Sequence, residues 1–138
     1  MTKNFEIMEV GLRDGLQIIK KDISIDYKLS IIKSLIESGV RNIQVTSFVN
    51  PKRVPSMADA EELVKSLPIV KGVQFSGLVF NQIGVERAIK AGLTKVETSI
   101  SISETYSYNN LGMSISESID NLKKIVSTAD ENKMQLRA

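Results

Sequence analysis

The sequence predicts an α/β fold with a parallel sheet, and three observations lead to this prediction. Short apolar, β-branched stretches alternate along the chain with longer stretches whose apolar residues recur at helical spacing. Polar loops follow the predicted strands, as they do in a barrel of parallel strands. No Gly-x-Gly-x-x-Gly follows the first strand, which weakens the case for an open dinucleotide-binding sheet. The predicted architecture is therefore a series of parallel (β/α) units from a (β/α)8 barrel.

The length of the chain limits how much of such a barrel it forms. The chain has 138 residues, whereas a complete (β/α)8 barrel usually needs about 250 residues. The pattern contains about four βα units and the start of a fifth strand. No linker or low-complexity tract interrupts it. We therefore interpret residues 1–138 as one partial domain, the N-terminal half of a (β/α)8 TIM barrel, from either a truncated chain or a partial gene product.

Five stretches have the composition of strands. The first contains Phe5, Ile7, Met8 and Val10, and the chain turns abruptly polar after it. The other four predicted strands are residues 43–48, 73–80, 95–100 and 134–138.

Four helices are predicted between these strands from apolar spacing and end signals. Ser24 or Asp26 caps the first, and Asn81 caps the third. Ser114 and Glu117 form a capping box that opens the fourth. The helices after the first are predicted to cover residues 58–67, 83–91 and 115–132.

Composition excludes several classes of function. Hydrophobic residues make up 42% and charged residues 25%, and the net charge of +2 is too small to indicate a nucleic-acid or anionic-membrane partner. No apolar run reaches the roughly 18 residues of a membrane helix, and no signal peptide is visible. The chain has neither cysteine nor histidine. We expect a cytoplasmic protein whose chemistry, if carried by this chain alone, uses carboxylates, Lys, Arg, Tyr or an oxygen-bound metal.

The stretch that follows the first strand is the strongest candidate for a functional site. In residues 9–17, EVGLRDGLQ, two glycines flank Arg13 and Asp14 where the strand should end. We expect a loop in which the glycines adopt positive φ or allow close backbone approach. Asp14 offers hard oxygen ligands to a divalent cation, and Arg13 offers donors to a developing oxyanion. The alternative is a turn closed by a local ion pair.

A second block makes the functional interpretation stronger. Residues 46–59 read TSFVNPKRVPSMAD, and together with residues 9–17 they resemble the 3-hydroxy-3-methylglutaryl-CoA lyase family over essentially the whole chain. A bare Arg-Asp-Gly is shared with related metal-dependent synthases and aldolases, whereas the second block is specific to the lyase branch. The resemblance implies retro-Claisen cleavage of an acyl-CoA substrate to acetyl-CoA and acetoacetate, assisted by Mg²⁺ or Mn²⁺.

The resemblance also assigns roles to two residues. It implies that Asp14 is a metal ligand and that Arg13 is catalytic, polarising the reacting oxygen and contacting substrate. From their positions, Gln17 in the same loop and Ser47 at the end of the second strand are expected to bind substrate. Where the family usually has Glu on the second strand, this chain has Gln44. A His-x-His pair, an Asn and a Cys complete the family site, and they belong to the half of the barrel that this sequence does not contain.

Two loops carry further candidates whose roles stay open at this level. Residues 101–113 are predicted to form a polar loop whose candidates either contact or cover substrate or simply face solvent: Tyr106, Tyr108, Asn109 and Asn110. On the loop after the second strand, Lys52 and Arg53 either meet CoA phosphates or are solvated charges.

Three functional hypotheses follow. The first is a lyase catalytic domain seen as a half; the second is a metal-dependent aldolase or acyl-CoA-condensing synthase of the same family; the third is an inactive half-barrel that serves as an assembly module. We also expect a homo-oligomer, because half a barrel leaves its first and last strands with unpaired edges.

Overall fold

The computed structural model describes residues 6–19 and 21–138, and within them five strands form one sheet in chain order. Every neighbouring pair of strands is parallel. The strands are β1 (Met8–Glu9), β2 (Asn42–Ser47), β3 (Gln74–Leu78), β4 (Lys95–Glu97) and β5 (Gln135–Arg137). This order, with a helix between successive strands, confirms the predicted α/β class.

Within the described residues, five α-helices accompany the sheet. They are α1 (Ile25–Glu37), α2 (Ala60–Lys65), α3 (Gln82–Ala91), α4 (Glu104–Leu111) and α5 (Ile115–Glu131). Four of them, α1, α2, α3 and α5, connect one strand to the next, while α4 is an additional helix between β4 and α5. Parallel neighbours require crossover connections of this kind, because the chain must return to the other end of the sheet before the next strand begins.

The predicted helix caps are present. Ser24 rather than Asp26 caps α1, since its hydroxyl accepts a hydrogen bond from the Tyr27 N–H. Asn81 accepts from the backbone at the start of α3, and both reciprocal bonds of the capping box at Ser114 form at the start of α5. Each cap satisfies amide groups that the helix itself leaves unpaired.

One face of the sheet forms the apolar core with the helices. Apolar side chains lie on one face of each helix and on one face of each strand, and these faces pack together. The side chains between them have almost no exposure to solvent. Members of this core include Ile32, Ile43, Val45, Leu63, Val85, Ala88, Val96, Ile125 and Ala129.

The opposite face of the sheet is polar at its centre. Gln44 pairs in register with Ser76, and Leu78 pairs with Glu97. Because side chains alternate along a strand and in-register neighbours share a face, these four side chains point the same way. Gln44, Ser76 and Glu97 are all buried there. This face corresponds to the interior of a barrel.

The prediction of a polar loop over residues 101–113 is wrong, because most of this segment forms helix α4. The Ser103 hydroxyl caps this helix by accepting from the Tyr106 N–H, and Gly112 ends it in the left-handed conformation, φ 73°. The sequence pattern hid the helix because exposed tyrosines and asparagines give it no apolar stripe, and its one buried side chain is Ser107.

The segment after β1 is helical rather than the expected loop, and of the two roles expected for its glycines, positive φ is not observed whereas close approach occurs at Gly11. Gly11–Gly15 form one turn of π-helix, and neither glycine is among those with positive φ. Gly11 instead allows close approach: a Cβ there would lie 2.7 Å from the Glu9 carboxylate oxygen, which accepts the Gly11 N–H. The Leu16 N–H donates to the Gly11 carbonyl five residues earlier, which is the hydrogen bond that defines a π-helical turn.

Four of the strands are shorter than the sequence predicted, whereas β2 has the predicted length of six residues. β3 and β4 end at Leu78 and Glu97, although the N–H groups of Val79 and Thr98 still donate to the carbonyls of Glu97 and Arg137 on the next strands. Phe5, which belongs to the first predicted strand, lies outside the described residues. Among the helices of residues 6–19 and 21–138, none has the length and apolar character needed to cross a membrane.

Gly77 illustrates how tightly the sheet packs next to the end of β2. A Cβ at this position would lie 2.7 Å from Phe48 Cε2 and 3.1 Å from Leu93 Cδ1. Phe48 is itself almost fully buried. The glycine therefore makes the room that the Phe48 ring occupies.

We predict that Gly77→Ala lowers the free energy of unfolding by about 1–3 kcal/mol, because the added methyl overpacks the contact with Phe48. Urea denaturation followed by circular dichroism measures the change. Gly15→Ala is the matched control, since a Cβ there meets nothing within 4 Å. Equal stability of the two variants would contradict the packing argument.

Candidate functional site

A cavity of about 1010 Å³ lies at the carboxyl-terminal edge of the sheet. Its walls come from the segments that follow β1, β2, β3 and β4, together with α4. Arg13, Asp14, Gln17 and Ser47, the four residues assigned from the sequence, all line this cavity. The edge where parallel strands end is where (β/α) barrels carry their active sites. The structure thus brings the four predicted residues together.

Arg13 is held on two sides. Its Nε donates to Gln44 Oε1 at 2.5 Å, and its Nη1 lies 2.6 Å from Asp14 Oδ1. The arginine side chain is 20% exposed and that of Asp14 is 67% exposed. The guanidinium is therefore oriented by a buried partner, whereas the carboxylate beside it faces the open cavity. The local ion pair between Arg13 and Asp14, which was the alternative interpretation of this stretch, is therefore also present.

Ser47 presents a hydroxyl that nothing in the described residues satisfies. It is 1% exposed, and its Oγ is the one buried side-chain nitrogen or oxygen of residues 6–19 and 21–138 that lacks a hydrogen-bond partner. A buried hydroxyl without a partner costs free energy. Since Ser47 lines the cavity, this hydroxyl is available to a bound molecule.

A buried carboxylate that was not predicted from the sequence is linked to Arg13 through Gln44. Glu97 lies at the end of β4, is 8% exposed, and accepts a hydrogen bond from Gln44 Nε2 at 2.6 Å. An acidic residue inside an otherwise apolar strand was the available signal, because a charge is seldom buried without a specific partner. Its partners, however, come from strands that are distant along the chain.

Helix α4 forms one side of the cavity. Tyr106 and Asn110 of this helix line it, whereas Tyr108 and Asn109 do not. Arg53 from the segment after β2 also lines it, and its neighbour Lys52 does not. Arg53 Nη1 also donates to the Leu111 carbonyl at 3.3 Å, which ties the end of α4 to the β2 side of the cavity. Arg53 is thus a bridging residue rather than only a solvated charge.

Arg87 of α3 holds the chain where it leaves β2. Its guanidinium donates to both carboxylate oxygens of Glu61 at 2.5 and 3.0 Å and to the Val49 carbonyl at 2.8 Å. It also lies 5.7 Å from the centroid of the Phe48 ring. The pKa of the Glu61 carboxyl is lowered chiefly because Arg87 hydrogen-bonds to its charged form. This contact fixes the wall that carries Ser47.

In the described part of the chain, Asp14 is the candidate ligand for the predicted divalent cation. Asp14 has the oxygen donors that a hard divalent cation prefers, at an exposed position in the cavity. No group of three or more Asp, Glu, His or Cys side chains in residues 6–19 and 21–138 is arranged to hold a metal. The donor chemistry of Asp14 therefore fits the predicted cation as one ligand.

The fold and the cavity define the N-terminal part of a (β/α)8 barrel with a polar site at the carboxyl ends of its strands. A model of the HMGL-like family matches residues 4–138. The chain therefore belongs to the HMGL-like family.

Characterised relatives extend well beyond this chain. It is 36% identical over 132 residues to the hydroxymethylglutaryl-CoA lyase of Pseudomonas mevalonii, covering 96% of this chain and 44% of the relative. It is 38% identical over 136 residues to a hydroxymethylglutaryl-CoA lyase of Bacillus subtilis, covering 99% of this chain and 46% of the relative. The chain thus spans less than half the length of these relatives.

Solved structures of lyases share the fold. The HMG-CoA lyase of Bacillus subtilis superimposes with a TM-score of 0.91 at 38% identity, over 96% of this chain and 45% of that one. An HMG-CoA lyase from Acinetobacter baumannii, in complex with coenzyme A and 3-methylmalate, gives 0.89 at 31% identity, over 95% and 43%. These matches confirm the predicted barrel half.

We predict that the contribution of Glu61 to stability depends on pH. Because the folded-state pKa lies below the ordinary value of 4.5, the contribution is present above that pH and is lost as the pH falls through the folded value. Urea denaturation of wild type and Glu61→Gln should therefore give a difference that shrinks below pH 4.5.

Glu62→Gln is the control for removing one carboxylate from the same helix, since Glu62 is exposed. A difference between wild type and Glu61→Gln that stays constant from neutral pH down to pH 3 would contradict the role of the Arg87 contact.

Proposed function

We propose that this chain supplies the Arg13–Asp14 side of an active site that cleaves 3-hydroxy-3-methylglutaryl-CoA to acetyl-CoA and acetoacetate. The observation that carries the proposal is that Arg13, Asp14, Gln17 and Ser47 line one cavity at the carboxyl edge of the sheet. Membership in the HMGL-like family and the names of the relatives support it.

The reaction builds negative charge on oxygen, which is what Arg13 is placed to oppose. A base removes the proton of the tertiary hydroxyl, its electron pair forms the new carbonyl, and the carbon–carbon bond breaks. The bonding electrons pass to the enolate of acetyl-CoA, which then gains a proton. Because Gln44 and Asp14 orient the Arg13 guanidinium at the cavity, it can donate hydrogen bonds to a reacting oxygen without reorganising.

Asp14 is proposed as one ligand of a divalent cation, Mg²⁺ or Mn²⁺. When bound, such a cation supplies Lewis-acid polarisation of substrate oxygens. Asp14 contributes a formal negative charge from the open side of the cavity. The positive charge of Arg13 lies next to the negative charge of Asp14. The site therefore offers one charge that attracts a cation and one that attracts an anionic substrate.

The remaining assigned residues are proposed to bind substrate. The unpartnered Ser47 hydroxyl can hydrogen-bond to a carboxylate or carbonyl oxygen. Gln17 lines the same cavity and offers an amide. The volume of about 1010 Å³ has room for an acyl chain with part of a CoA moiety. A coenzyme A complex of the Acinetobacter baumannii lyase supports an acyl-CoA as the substrate class.

A second candidate is an inactive half-barrel that acts as an assembly module. It is favoured by one observation: the described residues contain no cluster of three metal-ligating side chains. A related aldolase or acyl-CoA-condensing synthase has no comparable support, because the characterised relatives reported above are lyases.

We further propose that the protein is a cytoplasmic homo-oligomer, with no nucleic-acid or membrane partner. Among the described strands, β1 and β5 each pair with a single neighbour, so both edges of the sheet remain able to pair. A second copy would cover these edges in a dimeric pseudo-barrel. Sedimentation that shows only monomer at every concentration would contradict this.

The chain alone should show little lyase activity and weak Mg²⁺ affinity. Asp14 is one ligand, whereas Mg²⁺ prefers near-octahedral coordination by several oxygen donors. Isothermal calorimetry with Mg²⁺, together with an assay for acetoacetate released from 3-hydroxy-3-methylglutaryl-CoA, tests this. Tight Mg²⁺ binding by the isolated chain would contradict the prediction.

A completed barrel separates the roles of Arg13 and Asp14. In a hybrid of this chain with the C-terminal half of the Bacillus subtilis lyase, Arg13→Lys should lower kcat about 10²–10³-fold, because it loses the fork of donors and keeps the charge. Asp14→Asn should weaken Mg²⁺ binding, because a hard-cation site loses a formal charge.

Glu62→Gln in the same hybrid is the control, at an exposed position away from the cavity. If Arg13→Lys and Asp14→Asn alter only stability, with activity per folded molecule unchanged, then the dipeptide is a structural ion pair and the proposed function is wrong.

A further inference from the structure

A chain of buried hydrogen bonds runs from Arg13 across three strands. Arg13 Nε donates to Gln44 Oε1 at 2.5 Å, Gln44 Nε2 donates to Glu97 Oε2 at 2.6 Å, and Ser76 Oγ donates to Glu97 Oε1 at 3.0 Å. Gln44, Ser76 and Glu97 are 2%, 1% and 8% exposed. The partners of Arg13 thus extend from β2 to β4 within the barrel face of the sheet.

The direction of this chain follows from the chemistry of its ends. A guanidinium nitrogen can only donate, so Gln44 must turn its carbonyl oxygen towards Arg13. The amide nitrogen of Gln44 then faces Glu97, and it needs an acceptor there. A carboxylate accepts from both Gln44 and Ser76. Glu97 is therefore the buried group that can balance the charge of Arg13, and Gln44 connects the two.

The identity of residue 44 follows from the same arrangement. A glutamate at this position would place a second carboxylate within hydrogen-bonding distance of Glu97, and two such groups repel unless they share a proton. Gln44 avoids this conflict while keeping the bond to Arg13. The amide of Gln44 on β2 and the carboxylate of Glu97 on β4 are therefore complementary as donor and acceptor. The buried carboxylate lies on β4 and not on β2.

We infer that Glu97 is a positioning residue for Arg13, acting through Gln44 to hold the guanidinium at the cavity. Within residues 6–19 and 21–138, Arg13 Nη2 makes no hydrogen bond, so it is the nitrogen left to contact a substrate oxygen. The inference rests on the proposed function for Arg13 as the group that meets substrate. Whether Glu97 restricts the motion of the Arg13 side chain can be measured without any catalytic assay.

The test compares four forms of this chain: wild type, Glu97→Gln, Gln44→Glu, and the double variant that exchanges the two side chains. Solvent exchange of the Arg13 Nε–H, measured by ¹⁵N NMR, reports whether the side chain is held, and the backbone amide spectrum reports whether the fold is intact. Glu97→Gln should speed this exchange at least tenfold in a folded chain. The double variant restores one carboxylate between the strands and should return exchange to near the wild-type rate.

Ser76→Ala is the matched control, because it breaks the same hydrogen-bond chain beyond Glu97 and leaves the carboxylate in place. It should change Arg13 exchange much less than Glu97→Gln does. If folded Glu97→Gln exchanges at the wild-type rate, the inference is overturned. If that variant does not fold, the double variant decides: slow exchange of Arg13 supports the inference, whereas fast exchange or failure to fold overturns it.

The hybrid barrel distinguishes this inference from the proposed function. Glu97→Gln should lower kcat about 10–100-fold, a range taken from the loss of residues that orient metal ligands, and the double variant should recover most of it. An inactive wild-type hybrid with a well-held Arg13 would contradict the proposed function alone. An active hybrid that keeps its kcat while Arg13 is loosened would overturn the positioning role.

Discussion

Parallel strand pairing is the constraint on which the rest of this structure depends. Because all five strands run the same way, every strand ends at the same edge, and every return connection must cross the face that carries the helices. The apolar residues of both element types are collected on that face. The segments that leave the strands, and with them Arg13, Asp14 and Ser47, are collected at one edge around one cavity. The site is therefore a consequence of strand direction.

On the other face of the sheet, polar and charged side chains are buried, and removing them from water costs free energy. A barrel interior filled with apolar side chains would be the simpler solution, yet Gln44, Ser76 and Glu97 are buried there. Burial of a carboxylate is tolerable when it accepts hydrogen bonds from fixed donors and lies near a cation. Here the cation is Arg13, which is partly exposed at the cavity. The buried polar groups thus serve the orientation of one side chain at the edge of the sheet.

The walls of the cavity are held by contacts that also cross between units. Arg87 of α3 binds Glu61 of α2 and the Val49 carbonyl after β2. Arg53 reaches from the β2 side to the end of α4. Each arginine joins elements that are separated in sequence, so a change in one βα unit is transmitted to the wall built by another. Such clamps reduce the freedom of segments that would otherwise be mobile loops.

The local sequence pattern was sufficient to predict much of the secondary structure and four residues of the cavity. Apolar spacing and caps located four of the helices, composition located the strands, and the blocks around Arg13–Asp14 and Ser47 identified four residues that meet in one cavity. These features are encoded by residues close together in the chain. The π-helical turn at Gly11–Gly15 and helix α4 were not predicted, because their hydrogen bonds do not follow an apolar repeat. Glu97 and its link to Arg13 through Gln44 depended on the register of β2, β3 and β4, and only the tertiary structure sets which side chains of separate strands come within hydrogen-bonding distance.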